Sequence, residues 1–429
     1  MPIEAGVWVV FMLLLLLAVP VYVALGLSTV LALMYTGIPL EMVPLDLFKV
    51  TEVFPLLAVP AFILAGAIME KGGMAQQIVN VASIVVGRVR GGLALITIAG
   101  CMFFSAMIGS GPGTVAAMGT LMIPAMVRAG YGKDFAGGVT ATGGTLGILI
   151  PPSNPMIIYG VVAGVSIPGM FMAGLIPGVM VGFVLGVTAY VIARRKGLQG
   201  DPRTYTGREI VSILFRSFFS LMAPVIILGG IYAGIFTPVE ASIVAILYAT
   251  LVGLVINRQL TIQGMWEASK LTASTAGVVL IVVGVSILFG RFLTMYGIPQ
   301  FVADGMLSIT ENPILIIFLL ILLLFFLGMF METLATIVII VPIVMPLLHE
   351  IGVHPIHFGI LLIMTNEVAL LSPPLGVNLF VAMGLTNISL ERMAVAVFPF
   401  ILVLVACIVL VVFVPDIALF LPRKLMGIG

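Results

Sequence analysis

Leu149-Ile150-Pro151-Pro152-Ser153-Asn154 and Leu371-Ser372-Pro373-Pro374-Leu375-Gly376-Val377-Asn378 each set two adjacent prolines inside an apolar stretch of spanning length. A proline inside a helix removes a backbone donor and its ring clashes with the preceding turn, so the helix has to open there. Within a bilayer an opened helix is tolerated only where protein or a wet cavity satisfies the freed backbone groups. One such interruption in each half of the chain is the pattern of a transporter binding site.

The surrounding composition places both segments in a membrane. Of 429 residues 62% are hydrophobic and 8% charged, and the mean hydropathy is +1.33; ordinary soluble domains carry about 25% charged residues. Apolar runs recur at the roughly 20 residues that cross a bilayer. The chain therefore reads as a polytopic membrane protein in a lipid bilayer. A net charge of +1 argues against nucleic acid as a partner. Cys101 and Cys407 both lie in apolar runs and read as small core residues. Met1-Pro2-Ile3-Glu4 has no basic n-region, so the first helix is expected to remain in the mature protein.

Lys and Arg are few, so their positions set the topology. Arg194, Arg195, Lys196, Arg203, Arg208 and Arg216 share the one long polar stretch, which the positive-inside rule puts in the cytoplasm. It divides the chain into residues 1–193, a linker over 194–216, and residues 217–429. In the first part, 4–36 read as two short spans hinged near Pro20, 52–70 as a span, and 74–90 as an interfacial connector. Residues 92–130 are flanked by Arg88 and Arg90 before and by Arg128 and Lys133 after, with Gly109-Ser110-Gly111-Pro112-Gly113-Thr114 in the middle. Two cytoplasmic ends around a breaker-rich centre predict a re-entrant hairpin. Residues 136–160 form the helix broken at the prolines, and 165–193 close that half. In the second part, 217–237, 239–257 and 271–296 are spans, 298–311 a connector, 313–350 a second hairpin, 358–387 the second broken helix and 394–420 a last span. Both termini are placed outside.

The fold predicted is all-α: an inverted repeat of five transmembrane helices plus one re-entrant hairpin in each half. Pro124, Gly130, Gly137, Pro151 and Pro152 correspond at one common offset to Pro346, Gly352, Gly359, Pro373 and Pro374, as an internal repeat requires. The interval from Ser110 to Pro151 also equals that from Glu332 to Pro373. A hairpin tip and a broken helix can thus meet twice near mid-membrane. Exposed carbonyls there are hard oxygen ligands for a small cation, and half-helix N-termini offer donors to an anion.

Ser105, Ser110, Thr114, Thr145, Ser153 and Asn154 are the polar side chains of the first cluster; Glu332, Thr333, Thr365, Asn366, Ser372 and Asn378 those of the second. Any one of them also suits the plain role of joining helices, common in membranes. Packing alone does not, however, require helices broken in mirrored places. Glu332 and Glu367 are ionisable groups at depth and so functional candidates. Glu52 and Glu240 stand at span entrances, and Arg291 either snorkels outward or pairs with a carboxylate. His349, His354 and His357 have neither cysteine neighbours nor an unbroken helical register, so an outer loop is preferred over a zinc site. No nucleotide-binding loop or nucleophilic triad is present, which disfavours ATP hydrolysis and enzymatic chemistry.

Several segments resemble one family: Pro55-Leu56-Leu57-Ala58-Val59-Pro60 with Phe62-Ile63-Leu64-Ala65-Gly66, Gly91-Gly92-Leu93-Ala94, Gly109-Ser110-Gly111-Pro112, Ile150-Pro151-Pro152-Ser153, Gly234-Ile235-Phe236-Thr237-Pro238-Val239-Glu240-Ala241, and Ser372 to Asn378. In this order they are similar to the large, DctM-like membrane subunit of tripartite ATP-independent periplasmic (TRAP) transporters of the ion transporter superfamily. The resemblance implies an elevator-type secondary transporter in a bacterial or archaeal cytoplasmic membrane. It implies sodium-driven uptake of an organic acid, a C4-dicarboxylate or a sialic-acid-like carboxylate, in a family whose substrates also include keto acids and some zwitterions such as ectoine. Delivery would be by a periplasmic binding protein, with a separate small membrane subunit as partner. Two sodium ions are then expected, one near Ser105, Ser110, Gly111, Thr145 and Gly147, the other near Glu332, Thr333, Asn366, Ser372 and Gly376. Substrate contacts are expected from Ser110, Ser153, Asn154, Thr333 and Asn378. A self-sufficient sodium/dicarboxylate symporter of the divalent-anion type is the alternative, since it shares the hairpins and broken helices.

Overall fold

The structure is a computed structural model that describes residues 3–17, 19–200, 203 and 205–428; the reading of Met1 and Pro2 lies outside them. It is all helical among these residues. The helices are α1 (Ile3–Leu16), α2 (Val21–Thr36), α3 (Met42–Glu52), α4 (Ala58–Lys71), α5 (Met74–Val86), α6 (Gly92–Ile108), α7 (Gly111–Arg128), α8 (Lys133–Leu149), α9 (Asn154–Ala163) and α10 (Ile167–Arg195). There follow α11 (Gly207–Tyr232), α12 (Pro238–Leu251), α13 (Ile262–Met295), α14 (Ile298–Ile309), α15 (Pro313–Gly328), α16 (Thr333–Glu350), α17 (Pro355–Ala369), α18 (Val377–Thr386), α19 (Leu390–Phe413) and α20 (Asp416–Met426). A 3-10 turn, Phe54–Leu57, leads into α4, and a π turn, Val252–Ile256, ends α12. Among the described residues eight helices are long and apolar enough to cross a membrane.

Packing sorts these helices into two groups. In one, α13 runs between α2, α3 and α4, α12 lies on α4, and α11 lies on α5 and α12. In the other, α8 is enclosed by α6, α7, α18 and α19, while α10 carries α20 and touches α6, α8 and α17. The groups meet where α5 lies on α6 and where α16 touches α13 and α14. The interior of α8 explains its central place: every residue from Phe135 to Leu149 is buried, and small residues there let neighbouring backbones come close. Outward faces carry exposed Phe183, Phe215, Val255 and Phe398, as expected of surface that meets acyl chains rather than water.

Several local features follow from sequence chemistry. Thr237 and Glu240 cap α12 reciprocally: the Glu240 amide donates to Thr237 Oγ1 at 3.3 Å and the Thr237 amide donates to Glu240 Oε2 at 2.8 Å. Glu240 thus sits at a helix N-terminus, its carboxylate on the end where negative charge is favoured. Arg291 pairs with a carboxylate rather than snorkelling. Its Nη1 donates to both oxygens of Asp46, at 2.9 and 3.1 Å, and Asp46 is buried. That pair pins α3, an element absent from the sequence reading, onto α13.

Two expectations need correction. Residues 394–420 are not one span: α19 ends at Phe413, and α20 begins after Pro415 and lies along α10. Pro415 has no N–H to continue the ladder and crowds the turn before it. The loop reading of the histidines holds only in part: residues 351–354 join α16 to α17, with His354 at their end. His357 is buried on α17 with Nε2 2.9 Å from the Val411 carbonyl, and His354 Nδ1 accepts from the Ile356 amide at 3.2 Å as the α17 cap.

Candidate functional site

Chain breaks and helix-pair tips come together in two places. At the first tip Gly109 adopts φ 64°, and a Cβ there would stand 2.7 Å from the Pro152 carbonyl oxygen. Only glycine satisfies both the left-handed backbone and this approach. The Asn154 amide donates to the Gly109 carbonyl at 3.3 Å, which ties the start of α9 to the tip. At the second, the Leu375 amide donates to the Met329 carbonyl at 3.0 Å. Gly328 lies close to α17, where a Cβ would stand 2.9 Å from Asn366 Oδ1. The peptide bonds Pro151–Pro152 and Pro373–Pro374 are both cis.

A cavity of about 510 Å³ opens between these tips and the other helix group. Its lining includes Ser110, Gly111, Asn154, Glu332 and Thr333 of the sequence-predicted residues. Asn154 and Thr333 are 6% and 4% exposed, yet Asn154 Oδ1 and Thr333 Oγ1 have no hydrogen-bond partner. Buried polar atoms are nearly always satisfied, so two orphans on one cavity wall point to a ligand that completes them. The N-termini of α7 and α16 also reach this wall, and their first-turn amides favour an anion.

Behind the first tip is a set of oxygens. A Cβ on Gly147 would stand 2.4 Å from the Ser110 carbonyl oxygen and 2.8 Å from Thr114 Oγ1; one on Gly111 would stand 3.2 Å from Asn378 Oδ1 and 3.4 Å from the Gly144 carbonyl oxygen. Asn378 is buried and its Nδ2 donates to the Ala141 carbonyl at 3.4 Å, while Oδ1 has no partner. Carbonyl, hydroxyl and amide oxygens without a carboxylate are the donors that a small, singly charged hard cation accepts. The residues therefore fit sodium.

Thr114 Oγ1 donates to the Ser110 carbonyl at 2.9 Å, and most of the other candidates likewise spend their polar groups on nearby backbone and sit away from the cavity. Ser105 Oγ donates to the Cys101 carbonyl at 2.5 Å, Thr145 Oγ1 to Thr142 at 2.7 Å, and Ser372 Oγ to Val368 at 2.9 Å. Ser153 Oγ donates to the Ile148 carbonyl at 2.6 Å and accepts from the Met156 amide, so it caps α9 and does not line the cavity. Asn366 Nδ2 donates to the Leu362 carbonyl at 2.9 Å. Gly376, at φ 35°, begins α18, its carbonyl accepting from the Leu379 amide. Glu367 is fully buried outside the cavity with both carboxyl oxygens lacking partners.

Sequence reasoning missed Glu70 on α4 and Thr275 on α13, which form part of the opposite wall. Glu70 had a signal, an acidic residue within an apolar span, but Lys71 beside it makes it look like the polar end of a helix.

Known proteins bear on this geometry. The family described as "Tripartite ATP-independent periplasmic transporter, DctM component" matches residues 8–417. The isethionate TRAP transporter permease protein DctMQ of Oleidesulfovibrio alaskensis is 38% identical over 96% of this chain, which spans 65% of that longer protein. The C4-dicarboxylate TRAP transporter large permease protein DctM of Pseudomonas aeruginosa is 37% identical, with 94% of each chain covered. Among solved structures, the Alcanivorax borkumensis YdaH transporter shares the fold at a TM-score of 0.62 and 16% identity, with 96% of this chain and 97% of that one covered. With its apolar spans, paired tips and broken helices, this chain belongs to the DctM family of TRAP transporter permeases: it is a multi-pass membrane transport subunit and not an enzyme.

Proposed function

We propose that this chain is the sodium-coupled large permease that imports an organic acid across a bacterial or archaeal cytoplasmic membrane. A periplasmic binding protein delivers the acid. A separate small membrane subunit packs on the group built around α4 and α13. The two halves, residues 1–193 and 217–429, act as inverted repeats joined by the cytoplasmic linker 194–216, with both termini outside. The group containing both tips and both broken helices moves as an elevator against the other.

One observation carries this reading: a single cavity is walled by both helix-pair tips and bears the orphaned atoms Asn154 Oδ1 and Thr333 Oγ1. Sodium behind the first tip would be held by oxygens of Ser110, Gly144, Thr114 and Asn378. It would supply positive charge next to the α7 N-terminus, where an acid group is already favoured. The Asn378 contact with α8 gives a reason for coupling, because an ion that completes Oδ1 also fixes α18 against α8.

The test is uptake into proteoliposomes containing the permease and its small subunit, with the binding protein added outside. Uptake that requires both an inward sodium gradient and the binding protein is expected. Uptake that persists without the binding protein would instead support the self-sufficient symporter, and uptake indifferent to sodium would overturn the coupling.

A further inference from the structure

The cavity wall is charged in one sense only. Glu70 and Glu332 both line it, whereas none of its described lining residues is Lys, Arg or His. Neither carboxylate makes a hydrogen bond or salt bridge among the described residues. The nearest cation in sequence to Glu70, Lys71, is held by Glu267 Oε2 at 2.8 Å. The same cavity carries the orphaned and more than nine-tenths buried Asn154 Oδ1 and Thr333 Oγ1. These are oxygens, one of them an obligate acceptor, so the atoms awaiting a partner include one that asks for a donor.

We propose that the cavity takes a solute bearing a cationic nitrogen as well as an acid group, and that Glu70 is the residue that selects for the cation. The proposal rests on transport of an organic acid as argued above. The acid group faces the first-turn amides of α7 and α16, where helix N-termini favour negative charge. The cationic nitrogen faces Glu70 and Glu332 and donates to Asn154 Oδ1. A dicarboxylate would set its second charge against two unpaired carboxylates, and like-charge juxtaposition is an effective means of rejecting a competitor. Glu70 lies on α4, whereas the oxygens behind the first tip belong to the tip itself, α7, α8 and α18.

The experiment uses the permease with its small subunit in proteoliposomes, the cognate binding protein outside and an inward sodium gradient. An equimolar mixture of succinate, isethionate, pyruvate, γ-aminobutyrate and ectoine is supplied, and the accumulated solute is identified by mass spectrometry. Accumulation of a zwitterion is expected. Glu70→Gln should lower its uptake about tenfold without moving the sodium half-saturation, and Glu70→Asp, which keeps the charge, should retain most of it. Accumulation of an acid without a cationic group overturns the inference and leaves sodium-driven acid import standing. Zwitterion uptake unaffected by Glu70→Gln, or lost equally in Glu70→Asp, overturns the role of the Glu70 charge. Absence of sodium-dependent uptake of every solute overturns the proposed function and this inference with it.

Discussion

Asn378 on α18 reaches across to Ala141 on α8, its Nδ2 donating to the carbonyl at 3.4 Å while Oδ1 stays without a partner. The two broken helices, far apart in sequence, are therefore joined by one side chain that has an oxygen to spare. Replacing Asn378 by Ala removes both functions. Sodium half-saturation of uptake should rise about tenfold or more, with membrane insertion intact, because a lost ion ligand weakens binding by a kilocalorie-scale amount. A sodium titration of uptake checks this; an unchanged half-saturation would remove Asn378 from the ion site.

Gly147 is the glycine on which the oxygen set closes. A Cβ there would lie 2.4 Å from the Ser110 carbonyl oxygen, which is backbone and cannot swing aside. Gly147→Ala should cost about 1–3 kcal/mol by overpacking and abolish uptake. Gly229 on α11 has nothing within 4 Å of its added Cβ. Gly229→Ala should keep uptake and raise the melting temperature slightly, since alanine is the better helix former by about 0.8–1 kcal/mol. Equal behaviour of the two variants would contradict the close-packed tip.

Asp46 is buried and Arg291 is half exposed, with Lys49 as a second, outlying partner at 3.1 Å. Arg291→Ala should destabilise the detergent-solubilised protein by about 2 kcal/mol, less than the loss of a fully buried pair because water reaches the guanidinium side. Adding Asp46→Asn should restore part of that loss, since the second change removes the stranded charge. Thermal unfolding of the two single variants and the double variant measures the coupling.

His354 caps α17 through an unprotonated Nδ1 that accepts from the Ile356 amide. Burial, with the positive Arg423 nearby, holds the ring below its ordinary pKa of 6.5. The native state thus binds fewer protons than the unfolded chain, so this group's contribution is present above 6.5 and is lost as pH falls through the lowered value. Thermal stability should drop between neutral and mildly acidic pH, and His354→Asn, which caps without titrating, should flatten that slope. A slope of the same size in the variant would assign the effect to another group.

The sequence was most legible where backbone chemistry is coercive. The adjacent prolines Pro151-Pro152 and Pro373-Pro374 break the chain where single ones such as Pro177 and Pro342 stay within α10 and α16: the described helices stop at Leu149 and Ala369 and resume at Asn154 and Val377. Gly109 and Gly376 sit with positive φ beside the tips and breaks for the same reason. Side-chain duties were less legible. Ser153 and Ser110 look equivalent in sequence and each caps the helix that follows it, yet Ser153 Oγ also donates to the Ile148 carbonyl and only Ser110 reaches the cavity. Which face of a broken helix opens to the cavity depends on packing between segments that are hundreds of residues apart. The short α3 was missed because buried Asp46 pairs across the fold with Arg291 of α13, a contact that its local partner Lys49 does not reveal. The break at Pro415 had a local signal in the proline itself, but the apolar run on either side masked it.

Each tip is joined to its break by main-chain atoms alone, Asn154 N–H to the Gly109 carbonyl and Leu375 N–H to the Met329 carbonyl. A joint of that kind asks for glycine at Gly109 but makes no demand on the polar side chains of the cavity. The side chains around the cavity can therefore be exchanged without loosening the hinge parts that hold it. Cargo choice and mechanical integrity are thus separately adjustable, and grafting a relative's cavity side chains onto this backbone is a practical route to a permease that carries a different solute.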